Sequence, residues 1–456
     1  MSDNRFYEDT NRLWSAIAVE WRCQDRLSQR VALALPVAIV VSVGMIAAPP
    51  LAMPTEAHSQ LIGASRSSSG CFRISVVLNM SEFLLDPQVV FLNHGSFEAC
   101  PRDVFAEYQR WQRELERQPV RFLQRELPGL LANARRDVAD YLGALPTEIA
   151  FVPNPTFATN TIARCLPLGP GDEVLITDHE YGACRFAFRF AAERKGFHVV
   201  EQAIPLPVQS NEDIVDSFWQ GVTRNTKLIF ISHITSPTAL TLPVARICER
   251  AREAGILTMI DGAHAPGQID VHLGDIGADF YTATCHKWMC APKGSGILHV
   301  REDRQHLVEP LVTGWGWGPE KTFHRENEFL ENHEWLGTHD PSAYLTVPAA
   351  IKWHNEFMTD EVRKRCSDLA RLAVESASQV RGMSRVHPDA FYSQMGLIDV
   401  TSRMFNAEEL KSRLYQEYQI EVPIICWKNR TFIRVSTHAY TTQAHIELLI
   451  RALREL

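Results

Sequence analysis

The stretch KLIFISHITSPTALTLPVARICERAREAGILTMID, residues 227–261, decides the fold of this chain. Its two ends, residues 227–232 and 256–261, are short apolar runs typical of strands that are covered on both faces. Between them, residues 243–255 predict a helix that ends at a glycine. A strand, a helix and a strand in succession indicate two parallel strands of one sheet with the helix packed against it.

The same alternation continues on both sides of this unit. It predicts an α/β fold, with helices covering a mostly parallel sheet, for a large domain over residues 80–335, whose first segment could pack on the domain that follows. A different order of helices and short strands predicts a smaller α+β domain over residues 336–456. The other expected strands are 88–92, 148–152, 173–177, 197–202, 279–284 and 296–300, then short ones near 395–400, 420–425 and 431–435; the other expected helices are 101–118, 128–143, 181–195, 342–358 and 361–380, with one opening at Asn154.

The N-terminal part of the chain does not follow this pattern. Residues 31–53 carry no charge and have roughly the 20-residue length that crosses a bilayer, but prolines interrupt them. Because the first clear strand comes after Met80, we expect residues 1–79 to be an extension outside the fold. This interpretation favours a cytoplasmic protein, and attachment to a membrane or export through residues 31–53 is the alternative.

The composition argues against some classes of function. A formal net charge of −8 disfavours a nucleic-acid-binding surface, which needs clustered cations. The arginine-rich residues 110–126 also contain glutamates, as a solvated helix face does. The ten cysteines form no CxxC pair, so we expect reduced thiols and a reducing compartment.

Polar side chains follow several predicted strands at the edge where open α/β sheets bind ligands. Asp261 ends one strand, and Lys287 follows the next among apolar neighbours that partly desolvate its amine and make it a better nucleophile. An amine and a buried carboxylate at neighbouring strand ends suit pyridoxal phosphate (PLP). The lysine forms a Schiff base with it and the carboxylate keeps the ring nitrogen protonated. The other polar residues at strand ends are Thr156, His179, Tyr181, His233, His264 and His286.

Three residues suit the rest of such a cofactor and its substrate. Thr156 lies where a strand meets a helix, whose N-terminal N–H groups bind phosphate, although Thr156 also fits the helix cap. Tyr181 could stack on the cofactor ring or be a core aromatic. Arg434 could pair with a substrate carboxylate or be an arginine on the surface. The residues alone leave these alternatives open.

From about residue 88 onwards, the chain resembles the class V aminotransferase-fold enzymes, which are PLP enzymes of fold type I. Within them, it is most similar to an isopenicillin N epimerase-like branch. Asp261, His264 and Lys287, in this order and spacing, carry much of the resemblance, which does not reach residues 1–79. The matching stretches are FLNHGSF (91–97), NPTFATNT (154–161), GPGDEVLITDHEYGA (169–183), SHITSPTAL (232–240), DGAHAPGQID (261–270), CHKWMCAPKGSG (285–296) and RVSTHAY (434–440).

The resemblance implies roles for individual residues. Lys287 would be the Schiff-base lysine, Asp261 the partner of the ring nitrogen, and His264 a neighbour of the ring oxygen. Relatives are homodimers with the site at the interface, so Thr338 would contact the phosphate from the second subunit. Further cofactor-binding residues would be Thr156, Phe157, Ala158, Tyr181, His233 and His286, and the substrate-binding residues would be Arg434, Asn93 and Trp315, with Trp317 beside the substrate mouth.

Fold and cofactor do not select the reaction. Epimerisation, transamination, elimination and desulfuration of an amino acid or amine all begin at its α-carbon. A C–S lyase or desulfurase is therefore the first alternative, although we expect Cys285 and Cys290 to be packed and not catalytic. A non-catalytic relative would not need the intact pair of Asp261 and Lys287. The PLP interpretation predicts no metal. A metal-dependent hydrolase is a distant alternative, since the sequence contains no HExxH-type motif. Its ligands would be His179, His233, Asp261, His264 and His286.

Overall fold

A computed structural model describes residues 80–401 and 406–456 of the chain. The predictions for residues 1–79, including the apolar stretch 31–53, lie outside the described residues. Within the described ranges, no helix combines the length and the apolar character that crossing a bilayer requires.

Strands and helices alternate through most of the described chain. The strands are β1 (Val90–Phe91), β2 (Ile149–Val152), β3 (Glu173–Thr177), β4 (His198–Gln202), β5 (Thr226–Ser232), β6 (Leu257–Asp261), β7 (Phe280–Thr284), β8 (Gly296–Val300), β9 (Met383–Arg385), β10 (Met395–Val400), β11 (Ile420–Glu421), β12 (Ile424–Trp427) and β13 (Arg430–Ser436). The helices are α1 (His94–Phe97), α2 (Arg102–Arg117), α3 (Leu127–Leu142), α4 (Pro155–Cys165), α5 (Gly182–Lys195), α6 (Asn211–Trp219), α7 (Val244–Glu253), α8 (Leu273–Ile276), α9 (Glu328–His333), α10 (Ser342–Phe357), α11 (Asp360–Ala377), α12 (Ala407–Tyr418) and α13 (Gln443–Glu455).

Seven strands form the central sheet, in the order β2-β8-β7-β6-β5-β3-β4. The pairs β3–β4, β3–β5, β5–β6 and β6–β7 are parallel, whereas β8 is antiparallel to both of its neighbours. The predicted α/β fold with a mostly parallel sheet is therefore confirmed. Strands β5 and β6 are buried along most of their length, as their apolar sequences predict for strands covered on both faces.

Two apolar layers cover the sheet, because successive side chains of a strand point to opposite faces. On one face, Phe230 of β5 packs against Phe188 of α5, with 4.9 Å between the ring centres. On the other face, Ile229 and Ile231 of β5 share a core with Ile247 of α7. The sheet is thus held between helices on both sides.

The C-terminal part of the chain contains a second sheet. It is antiparallel, with four strands in the order β12-β13-β10-β9. Strand β1 pairs in parallel with β11, where Val90 lies opposite Ile420. The first described strand therefore joins the C-terminal region and not the central sheet.

The sequence analysis does not predict strand β9 or the short helices α1, α6, α8 and α9. Helix α6 has nine residues and is capped by Ser210, whose side chain accepts the N–H of Asp213. Helix α9 has six residues and is capped by Asn327, whose side chain accepts the N–H of Leu330. Elements this short carry too few periodic apolar positions to be recognised.

The carboxyl ends of β5, β6 and β7 lie side by side, since Ser232 pairs with Asp261 and Asp261 with Thr282. The loop after β6 comes close to the loop after β7 at Gly267, which has φ +86°. A Cβ atom there would lie 2.4 Å from the carbonyl of Trp288. Gly267 therefore allows the close approach that fixes the loop carrying Lys287.

We predict that Gly267→Ala destabilises the protein by about 3 to 5 kcal/mol, because it adds a backbone clash to an unfavourable φ. The matched control is Gly294→Ala, since Gly294 has φ +87° but nothing within 4 Å of the added methyl group. The control measures the cost of placing a side chain at a positive φ alone, which is about 1 kcal/mol. Urea unfolding of both variants measures the difference, and equal losses would contradict the role of the clash.

Candidate active site

A cavity of about 350 Å³ opens at the carboxyl ends of β5, β6 and β7. Its volume is in the range typical of small-molecule sites. The structure brings together on its wall seven of the predicted site residues, namely Thr156, Tyr181, Asp261, His264, His286, Lys287 and Arg434.

The amine of Lys287 is largely withdrawn from water. Its Nζ lies 3.3 Å from Nε2 of His264, whose Nδ1 lies 3.2 Å from the indole nitrogen of Trp288. Burial lowers the pKa of Lys287 from 10.5 to about 8, with Asp261 opposing this shift and Arg434 adding to it. Roughly a tenth of this amine is therefore uncharged and nucleophilic at pH 7, and this fraction rises with pH.

Asp261 is buried at the end of β6 with both carboxylate oxygens in contact. Oδ1 accepts the N–H of Ala263 at 2.9 Å, and the thiol of Cys184 donates to Oδ2 at 3.6 Å. Burial raises the pKa of Asp261, while the Ala263 N–H and the charge of Lys287 lower it. The sequence analysis did not single out Cys184, which lies on α5 and contacts Asp261 only through the fold.

A second buried carboxyl, that of Glu180, contacts Ser232, which lines the cavity. Its two oxygens accept the hydroxyls of Thr177 at 2.5 Å and Ser232 at 2.6 Å. Burial, with a smaller contribution from Asp261, raises the pKa of Glu180 to about 8. The sequence analysis missed this residue, which lies three positions after the end of β3, because local pattern does not distinguish it from the neighbouring acid Asp178.

The N-terminus of α4 faces the cavity through Thr156. The cap of this helix is Asn154, whose side chain accepts the N–H of Phe157 at 3.0 Å, so Thr156 is not the cap. The structure does not bring Phe157 or Ala158 to the cavity wall, and Ala158 is fully buried in the apolar core. Their predicted roles toward a cofactor receive no support from side-chain position.

Arg434 is 3% exposed, which rules out the alternative of an arginine on the surface. Its guanidinium donates to the carbonyl and hydroxyl of Ser236 at 2.6 and 3.1 Å, and to the hydroxyl of Ser96 at 3.1 Å. In the described ranges, its Nε has no hydrogen-bond partner, and burial lowers the pKa of Arg434 to about 10 with no carboxylate opposing this shift. A buried cation with spare donors is suited to an anionic ligand.

The family pattern of Aminotransferase class-V matches residues 100–449. The chain belongs to this family. Isopenicillin N epimerase of Amycolatopsis lactamdurans is 36% identical over 387 residues, covering 82% of this chain and 96% of the relative. The enzyme of the same name from Streptomyces clavuligerus is 34% identical, with coverage of 82% and 96%. A probable chloroplastic L-cysteine desulfhydrase of Arabidopsis thaliana is 28% identical, covering 74% of this chain and 75% of the relative.

Two solved enzyme structures share the fold. The cystine C–S lyase C-DES, in complex with its product cysteine persulfide, superimposes with a TM-score of 0.73 at 20% identity, covering 81% of this chain and 98% of that chain. The cysteine desulfurase CsdA from Escherichia coli gives a TM-score of 0.70 at 20% identity, covering 82% and 96%. At these identities the likeness establishes the fold alone.

Class V aminotransferases are PLP-dependent, and the cavity residues fit this cofactor. Lys287 offers a desolvated amine for the aldehyde, and Asp261 offers a buried carboxylate for the ring nitrogen. Arg434, with an unpartnered Nε, and the N-terminus of α4 offer donors for the anionic groups. Tyr181 is 49% exposed at the cavity, so it is free to cover a ring and is not a core aromatic.

Four predicted residues of this class V site lie elsewhere. His233 does not line the cavity, and its ring contacts the hydroxyl of Tyr281 at 3.0 Å. Asn93 donates to Glu421 at 2.9 Å, and its neighbours Gly95, Ser96 and Phe97 line the cavity instead. Two others, Trp315 and Thr338, line a separate surface groove together with Val120, Phe323 and Trp335.

The predicted metal ligands do not converge on one point. Among residues 80–401 and 406–456, the one candidate metal-binding group is His94, Cys290 and His438, which shares no member with the predicted set. The rings of His94 and His438 stack at 3.8 Å with an angle of 4° between them. Because imidazole lone pairs lie in the ring plane, two stacked rings cannot both point at one ion. Neither the cavity nor the family match supports a metal-dependent hydrolase.

We predict that Glu180→Gln removes a pH-dependent loss of stability. The pKa of Glu180 is 4.5 unfolded and about 8 folded, so its favourable contribution is complete below pH 4.5 and is lost as the pH rises to about 8. Relative to the variant, the native protein should lose about 2 kcal/mol or more between pH 5 and pH 8. Urea unfolding at both pH values measures this, with Glu253→Gln on α7 as the control. A constant difference would show that Glu180 does not titrate in this way.

Proposed function

We propose that this class V enzyme attaches PLP through Lys287 and removes and returns the α-proton of an amino acid, as an epimerase does. The observation that carries the proposal is the desolvated amine of Lys287, which shares one cavity with Asp261 and Arg434. Bound PLP withdraws electrons from the α-carbon of a substrate amine. Residues of this chain must hold the cofactor, bind the substrate carboxylate and carry the α-proton.

Each cavity residue has a role that its contacts support. Lys287, once displaced by a substrate amine, is an uncharged base that carries the α-proton. Asp261 holds the ring nitrogen, and Arg434 pairs with the substrate carboxylate in a two-pronged contact. Thr156 and the N-terminus of α4 hold the phosphate, and Tyr181 covers the ring.

The position of Cys184 supports proton transfer over desulfuration. A desulfurase needs a mobile nucleophilic cysteine, whereas Cys184, the one cysteine that lines the cavity in the described part of the chain, is 1% exposed. Its sulfur contacts Thr159 and Asp261, and burial raises its thiol pKa well above the usual value. Similarity to isopenicillin N epimerases over 96% of their length points the same way.

A C–S lyase acting on cysteine or a related thiol compound is the second candidate. The L-cysteine desulfhydrase relatives, at 27–29% identity, favour it. Elimination of sulfide from the β-carbon also begins with loss of the α-proton, so Lys287 would serve both reactions. Transamination on the same scaffold is tested by the acceptor dependence described below.

We also propose that the protein is a homodimer with a site at the interface. Trp315 and Trp317 are 65% and 58% exposed, and exposed apolar groups of this size mark interfaces. Thr338 lies in the same groove as Trp315, so a second subunit could bring it to the cavity. A reducing, cytoplasmic location is consistent with free thiols at all eight cysteines of the described residues.

We predict that Lys287→Ala abolishes covalent attachment of PLP, whereas Lys293→Ala retains it. Lys293 is the matched control because it is a nearby, half-exposed amine paired with Glu98 at 2.9 Å. Borohydride reduction followed by peptide mapping locates the label. In the native protein, the rate of attachment should rise with pH and level off above about 8, because only the free amine of Lys287 reacts. A label that survives in Lys287→Ala would refute the attachment site.

We predict that the enzyme exchanges the α-proton of an amino-acid substrate with deuterium from solvent and scrambles its configuration without a keto-acid acceptor. A panel of L- and D-amino acids, thiol compounds and small peptides, followed by mass spectrometry and chiral chromatography, measures this. Strict dependence on a keto acid would identify an aminotransferase. Release of sulfide and pyruvate from cysteine, without a recovered epimer, would establish the second candidate instead.

A further inference from the structure

Trp288 follows Lys287 directly, and its indole is fully buried. The ring packs beside His94, with 5.0 Å between the ring centres. Its one polar atom, the indole nitrogen, lies 3.2 Å from Nδ1 of His264. His264 in turn is the nearest hydrogen-bonding neighbour of the Lys287 amine.

The contact with Trp288 fixes where the proton of His264 lies. An indole N–H only donates, so Nδ1 of His264 must accept and carries a lone pair. His264 is 2% exposed, and burial, with Lys287 and Arg434 adding to it, lowers its pKa well below 6.5. The ring is therefore neutral, and its single proton is on Nε2.

The proton on Nε2 has a consequence for Lys287, because Nε2 and the lysine Nζ are 3.3 Å apart. An N–H group needs a lone pair to donate to, and an ammonium group has none. Only the uncharged amine of Lys287 can accept this hydrogen bond. The tautomer of His264 thus favours one protonation state of the lysine.

We propose that Trp288 is a positioning residue that fixes His264 as the Nε2–H tautomer, so that His264 donates to Lys287 and stabilises its free amine. The proposal deepens the proposed function, because it states how this chain prepares the attachment point before any cofactor binds. Besides His264, the charged or titratable side chains that line the cavity with Lys287 in the described ranges are Tyr181, Cys184, Asp261, His286 and Arg434. Asp261 favours the ammonium form of Lys287, whereas burial and Arg434 favour the free amine. The contact with His264 is a further contribution in favour of the free amine.

The direct test uses the full chain without PLP, labelled with ¹⁵N only at histidine. The His264 signals are assigned by their loss in His264→Gln. We expect an unprotonated Nδ1 and a protonated Nε2 from pH 6 to pH 8. A ring protonated at Nδ1, or at both nitrogens, would overturn the proposal without reference to catalysis.

A second test changes Trp288 itself. Trp288→Phe keeps an aromatic ring and removes the N–H donor, so the His264 proton is free to move to Nδ1 and Nε2 can accept from a lysine ammonium. The pH profile of Lys287 labelling by trace acetic anhydride, read by mass spectrometry, should shift upward by roughly half a unit to one unit. Trp353→Phe is the matched control, because Trp353 is also a buried indole but lies outside the cavity wall. Its profile should not move.

His264→Gln distinguishes positioning from packing. Its amide oxygen can accept from Trp288 while its amide nitrogen donates to Lys287, so the labelling profile should stay close to that of the native chain. A Trp288→Phe profile equal to the native one would refute the proposal, and if that variant does not fold, the histidine spectrum of the native chain decides. Failure of PLP to attach to Lys287, with the Nε2–H tautomer observed, would instead refute the proposed function alone.

Discussion

The withdrawal of the Lys287 amine from water is the constraint on which the rest of the site depends. A shift in its pKa from 10.5 to about 8 corresponds to about 3 kcal/mol in favour of the neutral form. The fold supplies this burial because β6 and β7 are parallel neighbours, which places Asp261 and the loop carrying Lys287 at one edge of the sheet. Gly267 then lets the loop after β6 lie in close contact with the loop that carries Lys287.

Several titratable groups in or next to this cavity are neutral, and each is neutral for a structural reason. His264 is kept unprotonated on Nδ1 by an indole donor, and Glu180 is buried between two hydroxyls with no cation as partner in the described residues. The thiol of Cys184 donates to Asp261 and does not compete with it as a second anion. Among the described residues, Asp261 is then the one carboxylate on the cavity wall, which it shares with Lys287 and Arg434.

The sequence allowed prediction of the parts of the site that depend on strand ends. Asp261 and Lys287 follow apolar runs, and a strand-end rule places them at one edge without knowledge of any contact. Glu180 and Cys184 escaped because their roles arise where α5 and its preceding turn pack over β5 and β6, which local pattern does not encode. The antiparallel direction of β8 escaped for the same reason, since strand direction depends on the path of the loop after β7. Asn93 and Trp315 were expected near the substrate, but Asn93 is bound to Glu421 and Trp315 lies in a separate groove.

The arrangement of donors also bears on how a phosphate is held. His286 donates from Nδ1 to the carbonyl of Ser295 at 2.7 Å, since a carbonyl only accepts, and burial lowers the pKa of its ring to about 4. The neutral ring therefore presents a lone pair at Nε2, and it must gain a proton before it can donate to a phosphate there. Within one chain, this leaves Thr156 and the N-terminus of α4 as the donors at that end of the cavity. A dianionic group would be better satisfied by a further donor, and this shortage within the single chain supports the proposal that Thr338 of a second subunit completes the site.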